Sequence, residues 1–300
     1  MNVLVSGATG LIGSALCNAL TQRGDKVARL VRKEWSSDPA EMLWDPAEGY
    51  IERGKLEGFD AAVHLSGENV GSGCWTSNKK RRIMQSRTQT TRLLCDTFAT
   101  LASQPKVWVS ASATGYYGNC GDHAVDEDAP SGDLFLSEVC RQWEEATLPA
   151  REMGIRVVNA RFGVVLGGKN SPFGKMLLPF KLGLGGPVGP GTQYMPWITL
   201  GDAVRAIIFV LDTQDVDGPV NVVSPHPVRN REFVKCLGQA LHRPAVVPVP
   251  AFAVRMVFGE MADNLLLASQ RAVPKKLEES GFAFDHPHLD EAIRHVLEAM

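Results

Sequence analysis

Seven residues near the start of the chain, Gly7-Ala8-Thr9-Gly10-Leu11-Ile12-Gly13, follow the apolar run Val3-Leu4-Val5 and precede apolar residues at helical spacing. Glycines in such a loop let the backbone turn tightly and come close to a second group. The helix that opens behind them presents unpaired N–H groups and the positive end of its dipole, which together hold an anion such as a pyrophosphate. With another strand run at Lys26–Val31, the pattern is a dinucleotide loop, and Gly7, Thr9, Gly10, Leu11, Ile12 and Gly13 are the expected contacts. The end of the second strand selects the dinucleotide. An NAD site carries an acidic residue about 20 positions beyond the loop, whereas this chain reads Val31-Arg32-Lys33. A guanidinium and an ammonium suit a 2′-phosphate, each charge-assisted hydrogen bond contributing on the order of 1.5–3 kcal/mol. Arg32 and Lys33 therefore make NADP(H) the expected cofactor.

Other reactive residues divide between site and scaffold. The run Ala61-Ala-Val-His-Leu65 leads into Ser66-Gly67-Glu68, whose small residues allow close approach to a cofactor. Leu65, Ser66, Gly67 and Glu68 are thus further cofactor candidates, Glu68 because open α/β sheets place ligands at strand C-terminal ends. His64, inside the apolar run, reads as a satisfied core histidine. Arg161 ends a strand beside the expected cofactor, where it either binds an anion or pairs with a structural carboxylate. The cluster Lys79-Lys80-Arg81-Arg82 occupies four successive helical positions, which spread around the circumference, so it reads as a solvated helix start and not as a nucleic-acid stripe. The six cysteines are scattered, without a C-x-x-C pair or histidines at metal spacing, so reduced thiols and no metal are expected.

These residues need a frame. Strand-like runs at 2–6, 26–31, 61–65, 106–111 and 156–160 alternate with helical patterns at 11–23, 76–102 and 134–153. That order specifies an α/β fold, a Rossmann doubly wound parallel sheet with a smaller C-terminal substrate lobe. Residues 1–165 form the expected dinucleotide-binding domain, with returning segments near 198–225. Residues 166–300 mainly form the substrate lobe, entered through the glycine- and proline-rich stretch 183–191, with Met176, Met195 and Trp197 as candidate pocket walls. A formal net charge of −2 favours a small-molecule partner over nucleic acid or an anionic membrane. The strand pattern begins at Asn2, leaving no room for a signal peptide, and no apolar run reaches membrane-spanning length; the reading is a cytoplasmic protein.

Further stretches carry a family resemblance: His64-Leu-Ser-Gly-Glu68, Ser86-Arg87, Ser110-Ala-Ser-Ala-Thr-Gly-Tyr-Tyr-Gly118, Gly183-Leu-Gly-Gly-Pro187, Trp197-Ile198, Asp202 and Gly259-Glu260-Met261. With these the chain resembles, over essentially its full length, the extended, epimerase/dehydratase-like short-chain dehydrogenases, and more narrowly the atypical branch called epimerase family proteins. The segment from Pro248 onward resembles a part of that branch of unknown role. The resemblance implies that Ser112 polarises a substrate oxygen, that Ser110 and Ala111 line the nicotinamide, and that Arg87 runs close to the cofactor. It also implies a Tyr and a Lys four residues apart on the next helix. Here those positions are Leu136 and Cys140, or Ser137 and Arg141 one residue on, and neither pair supplies the proton chemistry. Tyr116 and Tyr117, just beyond Ser112, are the substitute acids, or they wall the pocket. The expected function is an NADP(H)-dependent oxidoreductase or epimerase on a small carbonyl or hydroxyl compound; the alternative is a non-catalytic NADP(H)-binding redox sensor.

Overall fold

The computed structural model describes residues 1–32, 38–168 and 171–300. Its centre is an eight-stranded sheet of β1 (Asn2–Ser6), β2 (Lys26–Val31), β3 (Glu41–Asp45), β4 (Tyr50–Ile51), β5 (Ala61–His64), β6 (Val107–Ala113), β8 (Arg156–Phe162) and β12 (Gly218–Val222). Across the sheet they run β12-β8-β6-β5-β1-β2-β3-β4. All neighbours are parallel except β3 and β4. The order reverses at β1, which opens a crevice at the C-terminal ends of β1 and β5. Short pairings join β7 (Ala124–Val125) to β14 (Arg271–Ala272), β9 (Val164–Leu166) to β11 (Trp197–Thr199), and β10 (Tyr194–Met195) to β13 (Val228–Arg229).

Alternation along the strands feeds two cores. Val3 and Val5 pack with Leu16 and Leu20 of α1 (Leu11–Arg23) and Ile207 of α6 (Leu200–Asp212). On the other face Leu4 and Trp108 pack with Leu94 and Phe98 of α2 (Ser77–Phe98). Helix α1 stops at Gly24, whose left-handed φ of 92° lets its N–H reach the carbonyls of Leu20 and Thr21.

The pattern at 134–153 resolves into two helices, α3 (Phe135–Glu145) and α4 (Leu148–Glu152). Pro149 is the reason: it has no N–H to give an earlier turn, and it sits at the start of α4 instead. Helix α5 (Pro172–Lys181) forms despite Gly174 and Pro179, because Phe173, Leu177 and Phe180 share a buried face. That face meets α7 (Asn230–Ala240) and α10 (Leu289–Glu298) in a third core. Trp197 is fully buried in this core and so is not a pocket wall, whereas Met176 and Met195 pack against the core half-buried. The remaining helices are α8 (Ala251–Phe258) and α9 (Lys275–Glu279), with a π-helical turn at Ala262–Leu266 between them. Buried Asp202, near the start of α6, accepts from the backbone N–H groups of Asp285 (2.8 Å) and His286 (3.1 Å) and so ties the chain's last segment to the sheet. No described helix is long and apolar enough to cross a membrane.

His64 is a core histidine. Its Nδ1 lies 2.6 Å from Ser6 Oγ and its Nε2 3.1 Å from Thr90 Oγ1. Burial, reinforced by Arg87, pulls its pKa down to about 3. The unfolded chain thus takes up a proton near pH 6.5 that the folded protein refuses, so stability falls as the pH drops from about 6.5 toward 3. Between pH 7 and pH 5 this one group should remove about 2 kcal/mol. His64→Gln should flatten that part of the profile, read from urea midpoints at the two pH values; an equally steep profile in the variant would refute the assignment.

Candidate functional site

The glycine loop folds as a set of backbone contacts. Gly7 has φ +71°, and a Cβ there would stand 2.7 Å from the carbonyl carbon of Leu65. A Cβ on Gly13 would stand 2.2 Å from the Gly7 carbonyl oxygen. The loop is held by the Gly10 N–H donating to the Gly7 carbonyl at 2.9 Å. Helix α1 begins at Leu11 with Gly10 as cap, so no side chain satisfies its first N–H groups and no acid lies in its first turn. Thr9 and Gly10 are exposed, Leu11 and Ile12 half-buried. This helix start, free of side-chain caps and positively polarised, fits a pyrophosphate. Arg32 is exposed at the end of β2 and makes no ion pair with any described residue. Lys33 lies outside the described residues.

Beside the loop, Leu65 and Ser66 supply the backbone against which Gly7 packs. Arg87, half-buried on α2, stacks 3.1 Å from where a Gly67 Cβ would be. It donates to the carbonyls of Ile83 (3.0 Å) and Glu68 (3.1 Å), and its guanidinium lies over the Trp143 ring. The Glu68 carboxylate does not face a ligand unpaired: Lys79 Nζ donates to it at 2.6 Å and holds its pKa below the usual range. This corrects the solvated reading for two of the four residues of the basic run, while Arg81 and Arg82 are exposed. Lys79 is buried, and Lys80 pairs with Glu260 at 2.8 Å while covering the Phe135 ring. The strand-end carboxylate and the C-terminal segment each draw one cation inward.

The C-terminal ends of β6, β8 and β12 carry a polar row. Ser112, Arg161 and Asn221 are register partners on adjacent strands. Arg161 is almost fully buried and donates twice to Glu144 of α3, at 2.8 Å each. Burial works against its charge, yet Glu144 raises its pKa. Of the two readings left open for Arg161, the structure therefore selects the structural carboxylate. Ser112 Oγ donates to the same carboxylate at 2.6 Å, so its proton is not directed at a substrate. Tyr117 donates to Asn221 Oδ1 (2.7 Å) and accepts from Arg161 (2.9 Å). Burial pushes its phenol pKa up, the opposite of what a substitute acid requires. Tyr116 differs: its ring lies 3.5 Å under the Arg161 guanidinium, it is half-buried, and its hydroxyl has no hydrogen-bond partner among the described residues. Ser110 is fully buried with an unpartnered hydroxyl, and Ala111 is buried beside it in β6.

Helix α3 turns Leu136 and Cys140 toward the end of β6, where a Cβ on Gly115 would touch Leu136 Cβ (3.3 Å) and Cys140 Sγ (3.9 Å). Burial pushes the Cys140 thiol up to about 11. Asn264, in the π-helical turn, accepts from the Leu136 N–H at 3.0 Å, so the C-terminal segment seals the start of this helix. Sequence reasoning missed Glu144, Asn221, Asn264 and Glu127. Glu127 is buried, accepts from the Asn221 N–H at 2.9 Å, and has its pKa raised by burial. A charged residue in a run otherwise suited to a central strand, such as Arg161, was the one signal that a buried carboxylate must exist. Among the described residues no group of three or more His, Cys, Asp or Glu could hold a metal ion.

A glycine cradle at the reversal point of a parallel sheet defines a nucleotide-binding protein of the Rossmann type. Residues 3–223 match the NAD dependent epimerase/dehydratase family, and residues 249–296 match a domain of unknown function, DUF1731. The chain belongs to the NAD dependent epimerase/dehydratase family. It is 40% identical to the epimerase family protein ML0860 of Mycobacterium leprae (strain TN) over 97% of this chain and 94% of that protein. It is 37% identical to the epimerase family protein SDR39U1 of Homo sapiens over 99% of this chain and 100% of that one. The crystal structure of human SDR39U1 (isoform2) with NADPH superposes with a TM-score of 0.89 at 36% identity, covering 100% of both chains.

The Glu144–Arg161 pair yields a stability prediction. Removing one partner leaves a buried charge, so Glu144→Leu or Arg161→Met alone should cost about 3–5 kcal/mol. The double variant should recover most of that loss in a urea-denaturation cycle, whereas additive losses would mean that the pair does not act as a unit.

Proposed function

We propose that this protein binds NADP(H) and moves a hydride between it and a small carbonyl or hydroxyl compound, with Tyr116 as the proton donor. One observation carries the reading: of the hydroxyls at the end of β6 and just beyond it, those of Ser112, Thr114 and Tyr117 donate internally and that of Ser110 is fully buried, whereas that of Tyr116 is on a half-buried residue and has no partner among the described residues. The N–H groups at Gly10–Gly13 would hold the pyrophosphate, and Arg32 the 2′-phosphate, in keeping with the NADPH held by the human relative. The reduced nicotinamide supplies the hydride. As negative charge grows on the substrate oxygen, Tyr116 gives it a proton and an alcohol results; in the reverse direction the phenolate takes that proton back. The neighbouring Arg161 guanidinium, fixed by Glu144, stabilises the phenolate that the transfer leaves.

A second reading is a non-catalytic NADP(H)-binding sensor of redox state. Leu136 and Cys140, standing where the family resemblance puts Tyr and Lys, favour it.

NADPH oxidation followed by absorbance across aldehydes, ketones and quinones separates the two. The enzyme should turn over at least one of them, and Tyr116→Phe should lower kcat about 100-fold or more with NADPH affinity unchanged. Full turnover in Tyr116→Phe removes the proton-donor role. Tight NADPH binding without turnover across the panel selects the sensor. Arg32→Asp should weaken NADPH about 10- to 100-fold while leaving NADH little changed. Unchanged discrimination between the two in direct titrations would remove Arg32 from the site.

A further inference from the structure

Away from the dinucleotide cradle, an open cleft of about 840 Å³ lies along α7. One wall is a face of that helix carrying Arg231 and Lys235, four residues apart, with His242 and Arg243 just beyond its end. The opposite wall is apolar, formed by Pro187, Pro244 and Val246. No carboxylate lines the cleft. The side chains of Arg231, Lys235 and His242 make no hydrogen bond or ion pair with any described residue, and Arg243 donates only to the Lys181 carbonyl at 3.2 Å. The nearest acid in sequence, Glu232, is turned away to accept from the Arg229 N–H. Cations gathered without a counter-charge repel one another, so an anion entering the cleft relieves that repulsion and gains charge-assisted hydrogen bonds.

Two independent features point the same way. His242 is the one non-glycine residue of the described chain with a positive φ, 52°, at the position after a helix where glycine is the unstrained choice. Histidine is among the non-glycine residues that enter this region most readily, and residues held there cluster at binding and active sites. The apolar lining of the cleft also includes a protruding side chain, Val246, which is 77% exposed.

We infer that this cleft is a second ligand site, taking an amphiphilic small anion: a phosphate or carboxylate on Arg231, Lys235, His242 and Arg243, joined to an apolar body lying against Pro187, Pro244 and Val246. The cleft is open and its cationic side chains are exposed, so the ligand lies in a groove and not in an enclosed cavity. The site shares no residue with the dinucleotide cradle, so it can be loaded while NADPH is bound.

The test is calorimetric titration of the NADPH-saturated full chain with octyl phosphate, inorganic phosphate and octanol. Octyl phosphate should bind one per chain, at least about tenfold more tightly than inorganic phosphate, and octanol should not bind. The double variant Arg231→Ala/Lys235→Ala should lose at least about tenfold of that affinity and keep its NADPH affinity. His242→Gly discriminates most sharply, because it should raise the melting temperature while weakening octyl phosphate. The site is overturned by any of three results: no saturable octyl phosphate binding, equal affinity for inorganic phosphate, or full binding by the double variant. Sedimentation with phosphatidylserine vesicles without one-to-one uptake of octyl phosphate also overturns it, and would make the surface a membrane contact.

Discussion

Three stretches of backbone meet at Gly7 with no room for a side chain, and the site depends on that contact. The Gly7 carbonyl lies where a Cβ on Gly13 would be, while Leu65 and Ser66 lie where a Cβ on Gly7 would be. The first turn of α1 is thereby pressed against the ends of β1 and β5, and its unpaired N–H groups face the crevice where the strand order reverses. Larger residues would lift the helix from the sheet and move the anion-binding end away from the crevice. The alternating faces of β1, with Val3 and Val5 on one side and Leu4 on the other, then bury the sheet between its helices.

A second constraint is electrostatic. An arginine placed in a central strand must find a carboxylate, and Arg161 finds Glu144 on α3. Ser112 and Tyr117 are drawn into the same network, and Asn221 and Glu127 extend it to β12 and to the loop before α3. The network accounts for residues that would otherwise pass as catalytic, because their protons already have acceptors inside the protein. Tyr116 stands apart from Ser112 and Tyr117, since it meets Arg161 through its ring and its hydroxyl has no partner among the described residues.

The C-terminal elements act on the sheet through a few polar ties. Asp202 holds the backbone of Asp285 and His286, Asn264 caps the first turn of α3, and Glu260 draws Lys80 down over Phe135. Lys79 and Lys80 of the basic run on α2 are therefore tied into the protein while Arg81 and Arg82 stay exposed, and the segment after residue 248 bears directly on the helix that in this family resemblance carries the proton chemistry.

The sequence by itself determined the alternation of β1, β2, β5, β6 and β8 with their helices, the glycine loop, and that Leu136 and Cys140 stand where a Tyr/Lys pair is expected. These are local properties: the positions of β1, α1 and β2 follow from apolar period and glycine placement, and Leu136 and Cys140 are what they are in any conformation. Helix α5 was not legible, because Gly174 and Pro179 argue against it locally and only the shared core of Phe173, Leu177 and Phe180 with α7 overrides them. Nor was the pairing of Ser112 and Arg161 with Glu144, since it depends on strand register across β6 and β8 and on which face α3 turns to them. Tertiary structure alone decided which hydroxyls donate inside the protein, because a hydrogen bond is set by distance in space and not by separation along the chain.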